Sequence, residues 1–132
     1  MSWQAYVDDY LLAELPNGAT LSHAAIIGHD GSEWAKSPNF PEFSDAEWDV
    51  VMKGFGDQSV LTSGGVKIAG EKYMFIMSDG SNIRCRAGKN GGLTLHKTAQ
   101  AVLLGIYQEP AQSGDVEVAV AKVADYLRES GY

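Results

Sequence analysis

Trp3, Tyr6, Trp34, Tyr126 and Tyr132 are the side chains of this sequence best suited to recognition chemistry. Trp3 and Tyr6 stand one helical turn apart, so a helix would put both rings on one face. Tyr126 sits at the edge of an apolar stripe near the end of the chain. If the two terminal segments are helices packed side by side, the rings converge. A row of flat rings suits a polyproline helix, whose prolines present apolar faces and whose carbonyls have no internal hydrogen bonds. Indole N–H and phenol O–H groups can donate to those carbonyls. The same rings suit an ordinary core, which is the simpler reading of the spacing alone, and the groove reading stays open beside it.

A second group is cationic. Residues 80–108 hold Arg84, Arg86, Lys89 and Lys97 and no Asp or Glu. Residues i and i+2 share a strand face, so Arg84 and Arg86 point the same way, and Lys89 and Lys97 extend the positive area. Such a face can steer toward an acidic partner, or be no more than a solvated edge. The net charge of −7 argues against a general nucleic-acid binder.

Catalytic readings find less support. His23, His29 and His96 lack metal-ligand spacing, and His29, just before a tight turn, reads as a solvated turn residue. Cys85 has neighbouring arginines that could lower its pKa, but an inert strand cysteine is the simpler reading. Gly88-Lys89-Asn90-Gly91 resembles a phosphate loop only superficially: residue 83 is Ile rather than Gly, and no Ser or Thr follows the lysine. Asp8-Asp9 reads as a solvated face and Asp45 with Glu47 as a helix start. No catalytic residue, cofactor or metal is expected.

The elements that must position these groups follow from patterning. At 132 residues the chain suits one domain spanning 1–132. No apolar run approaches the ~18 residues of a membrane span. The start lacks a basic n-region and an apolar h-region, so no signal peptide is expected. A single cysteine fits a reducing cytosol. Trp3, Tyr6, Val7, Tyr10 and Leu11 predict a helix over 3–12, ended by Pro16-Asn17-Gly18. Residues 20–28 predict a buried strand, Asp30-Gly31 a hairpin turn, and 32–36 the returning strand. Ser44–Gly54 predicts a helix, with a Ser44/Glu47 capping box, a Phe43/Trp48 staple and Gly54 at C′. From residue 60, glycine-punctuated short runs predict an antiparallel meander. Residues 101–107 fit a strand or a buried helix. Val116, Val120, Val123 and Leu127 predict an amphipathic helix over 115–129. Its acidic start and Arg128 near its end complement the macrodipole. The fold class expected is α+β, an antiparallel sheet covered by helices.

The chain resembles the profilin family, most closely its plant and green-algal branch, over nearly its whole length. The resemblance rests on Met1–Asp9, Ala25–Ser32 with Trp34-Ala35, Gly70–Met74, Lys97-Thr98, Gly105–Pro110 and Asp125–Leu127. It implies a central sheet with the N- and C-terminal helices on one face and a further helix on the other, with residues 101–107 as a strand. It implies a poly-L-proline groove at Trp3, Tyr6, Trp34 and Tyr126, which Tyr132 joins. That terminal ring matches animal profilins, where the plant branch usually ends in an aliphatic residue. It implies an actin face at Lys72, Met74, Arg84, Arg86, Gly114, Glu117 and Lys122, and a phosphoinositide role for Arg84, Arg86, Lys89 and Lys97. The partners implied are monomeric actin, proline-rich proteins such as formin-type elongation factors, and phosphoinositide headgroups, for a monomeric, non-catalytic protein of the cytoplasm and cytoskeleton. The alternatives are a polyproline adaptor without actin binding, and a small ligand-binding or enzymatic domain using Cys85 and the basic loop.

Overall fold

The protein is described by a computed structural model covering residues 3–88 and 91–132. Its chain order follows the patterning closely. A short helix α1 (Trp3–Ala5) runs on into a π-helical turn (Tyr6–Leu11). Then come β1 (His23–Gly28), β2 (Glu33–Lys36), α2 (Asp45–Gly56), α3 (Ser59–Gly64), β3 (Val66–Ile68), β4 (Glu71–Ser78), β5 (Asn82–Ala87), β6 (Gly91–Lys97), β7 (Ala101–Gln108) and α4 (Ser113–Glu129). The seven strands form one sheet in the order β2-β1-β7-β6-β5-β4-β3, every neighbouring pair antiparallel.

Strand alternation sorts the apolar side chains into two cores. Ala24 and Ile26 of β1 and Ala101 and Leu103 of β7 face the terminal helices, where Val7, Leu11, Val116, Val120, Val123 and Leu127 cover them. Ala25 and Ile27, with Val102, Leu104 and Ile106, face the other way, onto Trp48, Val51 and Phe55 of α2 and Leu61 of α3. Strands β1 and β7 are thus buried on both faces, which is why 101–107 carries no period and why helix and strand could not be told apart from periodicity.

The seating of α4 is close. A Cβ at Gly105 would come within 3.1 Å of a Val120 methyl and 3.3 Å of a Leu21 methyl. Glycine lets the helix settle onto β7. Among the described residues no helix is long and apolar enough to cross a membrane.

Helix α2 has the capping expected of it. Ser44 Oγ accepts from Glu47 N at 3.1 Å, and Ser44 N donates to Glu47 Oε1 at 2.9 Å. Phe43 stacks on Trp48 at 5.1 Å between ring centroids. The Glu47 carboxylate also accepts from Ala69 N and Gly70 N at 3.0 and 2.8 Å, pinning the β3–β4 turn.

Three expectations need correction. Gly54 is not a C′ residue: the helix runs on to Gly56, and Asp57 is its cap. The reason for glycine there is packing, since a Cβ would lie 2.6 Å from Leu61. Helix α3 was not expected, because six residues without apolar periodicity offer no signal. His29 is not a solvated turn residue. It is half-buried, and its Nε2 lies 3.0 Å from Thr98 O and 3.3 Å from Ala101 O, tying the β1–β2 turn to the β6–β7 turn.

Gly54→Ala sets two effects against each other. Helix propensity would gain up to about 1 kcal/mol, while forcing a methyl into a packed site costs about 1–3 kcal/mol. Leu61 is fully buried and has little room to yield, so the expected outcome is net destabilisation. A urea midpoint equal to or above that of the parent would contradict this reading of Gly54.

Candidate functional site

The terminal helices and the β2 edge bring the five expected aromatic side chains into one row. Trp3 lies 4.7 Å from Trp34, 4.9 Å from Tyr132 and 5.7 Å from Tyr6, between ring centroids. Tyr6 lies 5.8 Å from Tyr126. Sequence reasoning left out a sixth ring, Tyr10, at 6.0 Å from Tyr6. The signal for it was the helical stripe itself. What the pattern could not show is the π turn, in which Leu12 N donates to Val7 O at 2.9 Å. That wider turn replaces the ordinary helical spacing between Tyr6 and Tyr10. Such turns frequently occur at functional sites.

These rings are not core residues. Tyr10, Tyr126 and Tyr132 are 48%, 53% and 42% exposed, while Trp3, Tyr6 and Trp34 pack by one side against the α4-face core. Tyr6, Tyr10, Val123, Tyr126 and Lys122 line a recess of about 400 Å³. Partial desolvation, the Tyr126 hydroxyl and the other tyrosines nearby raise the Tyr6 phenol above its usual pKa. Tyr132 is anchored by its backbone: its carbonyl accepts from Gln100 N at 2.6 Å and Thr98 Oγ1 at 2.8 Å.

The cationic group occupies a different area. Across β4 and β5, Met74 pairs with Arg86 and Met77 with Arg84, with a bulge between Phe75 and Met77. The bulge leaves Met74, Ile76 and Met77 exposed together beside the two arginines, at 65%, 55% and 39%. Ile76 and Met77 were not among the expected residues, because a bulge cannot be read from alternation. Lys72 is exposed and pairs with Lys67 across β3–β4. Gly114 is open surface at the first turn of α4.

Glu117 lies beneath this face. Its carboxylate accepts from Thr94 Oγ1 at 2.6 Å, lies 2.7 Å from the buried His96 Nε2, and pairs with Arg84 Nε at 3.2 Å. Burial alone would raise this carboxyl, but the His96 and Thr94 side chains and the Arg84 guanidinium hold it down at about 2. Glu117 is therefore a half-buried anchor for Arg84.

Two expected members stand apart. Lys97 points to the opposite side of the sheet, its ammonium 5.7 Å from the centre of the Phe55 ring, so it does not extend the Arg84–Arg86 area. Lys122 turns to the aromatic recess, next to Tyr126, about 140° round α4 from Glu117 at 100° per residue. Lys89 lies outside the described residues. Cys85 is buried on the α2 side, and burial pushes its thiol up to about 12, the opposite of activation.

The comparisons with known proteins agree on one family. A family model described as Profilin matches residues 1–132. Profilin II of Acanthamoeba castellanii is 38% identical, with a TM-score of 0.87 over 99% of this chain and 100% of that one. Schizosaccharomyces pombe profilin is 33% identical, also with a TM-score of 0.87, over 99% and 100%. Mouse profilin IIa, in complex with a double repeat from the FH1 domain of mDia1, shares the fold at 23% identity and a TM-score of 0.77, over 100% of both chains.

The Glu117 anchor makes stability pH-dependent in a stated direction. Its folded pKa of about 2 lies below the ordinary 4.5. The stabilisation is complete above the ordinary value and is lost as pH falls through the folded one. At about 1.4 kcal/mol per unit it amounts to roughly 3 kcal/mol. The stability gap between the parent and Glu117→Gln should therefore be wide at neutral pH and shrink steadily below about pH 4.5. A gap that stays constant across acid urea titrations would mean that the carboxylate charge is not what holds the site.

Proposed function

This chain belongs to the profilin family, and on that premise we propose that it binds monomeric actin on the Arg84–Met74 face while holding proline-rich ligands on its aromatic row. The observation that carries the reading is the convergence of half-buried Trp3, Tyr6 and Trp34 with exposed Tyr126 and Tyr132 into one surface row. Prolines would fill the slots between tilted rings, with their carbonyls open to N–H and O–H donors. Actin would meet Lys72, Met74, Arg84 and Arg86, with Gly114 at the helix start. Glu117 would act there by holding Arg84, and Lys122 would sit at the border between the two areas. A phosphoinositide headgroup would compete for Arg84 and Arg86 on the same face.

The mechanism is tethering: one molecule carries an actin monomer and engages an elongation factor's proline-rich segment, raising actin's local concentration. The reading needs no catalytic residue, and the place of action is the cytoplasm with its cytoskeleton. Within the family we assign the chain to the plant and green-algal branch on its opening residues and Gly70–Met74.

Trp3→Ala should abolish retention on a polyproline column while leaving the circular dichroism spectrum intact. Undiminished retention would remove the groove assignment. Reversing Arg84 and Arg86 to Glu should lower actin co-purification and leave column retention unchanged. If both activities fall in a folded variant, the sites are not separate. Sedimentation with a labelled proline peptide and monomeric actin should give a ternary species, and strict competition would leave sequestration alone.

A further inference from the structure

The aromatic row does not stop at Tyr6 and Tyr126. Tyr10, Lys122 and Val123 line the recess beside those rings and also a second recess of about 460 Å³, walled by Leu15, Pro16 and Val118. The two recesses therefore adjoin, with these three side chains between them. From Tyr132 through Trp3 and Tyr6 to Tyr10 the ring steps are 4.9, 5.7 and 6.0 Å. At ~3.1 Å per residue a polyproline helix crosses that distance in roughly five residues. A longer ligand held on the rings has to run on, and beyond Tyr10 this second recess lies open.

The chemistry there differs from the row. Val118 is 56% exposed and offers an apolar seat. Glu14 and Asp115 also line the recess. Among the described residues neither carboxylate is in an ion pair. Lys122 stands between the two recesses and would repel a cation placed level with Tyr10.

Resting on the groove reading above, we infer that the second recess selects proline-rich segments carrying a basic flank. The prolines lie along the rings, an apolar residue follows onto Val118 and Pro16, and an arginine or lysine beyond Lys122 pairs with Glu14 and Asp115. The site would therefore read both the direction and the flanking charge of a ligand that is otherwise featureless.

The test titrates tryptophan fluorescence with octaproline alone and with octaproline extended by Val-Arg-Arg or Val-Glu-Glu at either end. The basic extension should tighten binding at one end only, by roughly two- to fivefold for each carboxylate engaged. The acidic extension should weaken it. The Glu14→Gln, Asp115→Asn double variant should lose the gain from the basic flank while binding plain octaproline as before. Equal affinities for the two extensions, or a gain that survives the double variant, would overturn the inference. So would a double variant that loses actin binding while its peptide affinities stay unchanged, since the recess would then belong to the actin face. If plain octaproline gives no signal at all, it is the groove reading that has failed.

Discussion

Helix α4 can lie against β7 because position 105 has no side chain in its path. Much else depends on that contact. With α4 seated, Val116, Val120, Val123 and Leu127 close the core on one face, and the helix presents its flank to the N-terminal turn. Tyr6 then meets Tyr126, and Trp3 meets Tyr132. Residues from opposite ends of the chain become neighbours through a helix-on-sheet approach, with no covalent link to hold them. The row of rings is an outer edge of a core rather than an independent feature. Its geometry is only as firm as the packing behind it.

The sheet divides the molecule's tasks by face. The terminal-helix face carries the rings at the β2 side and the arginine–methionine area at β4 and β5. The opposite face carries α2, α3 and the larger buried core, including Cys85 and Trp48. Trp48 shows how residue type alone misleads. It is an indole like Trp3 and Trp34, yet it is buried and its Nε1–H donates to His29 O at 3.1 Å.

What could be read in the sequence was what local chemistry decides. The Ser44/Glu47 box, the Phe43/Trp48 staple and the stripe of the last helix each depend on residues within one or two turns of one another. Helical spacing pointed at Trp3, Tyr6 and Tyr126, and the family resemblance added Trp34 and Tyr132, which lie on a strand and beyond the last helix. What escaped depended on distant neighbours. Gly54 looks like a terminator until Leu61 is placed beside it. Lys97 looks like part of a basic stretch until strand register turns it toward Phe55. Glu117 looks like a surface acid at a helix start until His96 and Arg84 close over it. The β4 bulge that exposes Ile76 and Met77 leaves no mark in the alternation.

The tie between Arg84 and Glu117 has a consequence for how a partner docks. An arginine side chain free in solvent samples many rotamers, and ordering such a chain on association costs about 0.5–1.5 kcal/mol. Arg84 is only partly exposed, and its Nε is already engaged by a carboxylate that is itself fixed by Thr94 and His96. Part of that ordering is complete before any encounter. The guanidinium is held on a fixed mount with its outer edge presented, so an approaching carboxylate meets a donor whose orientation was set when the protein folded.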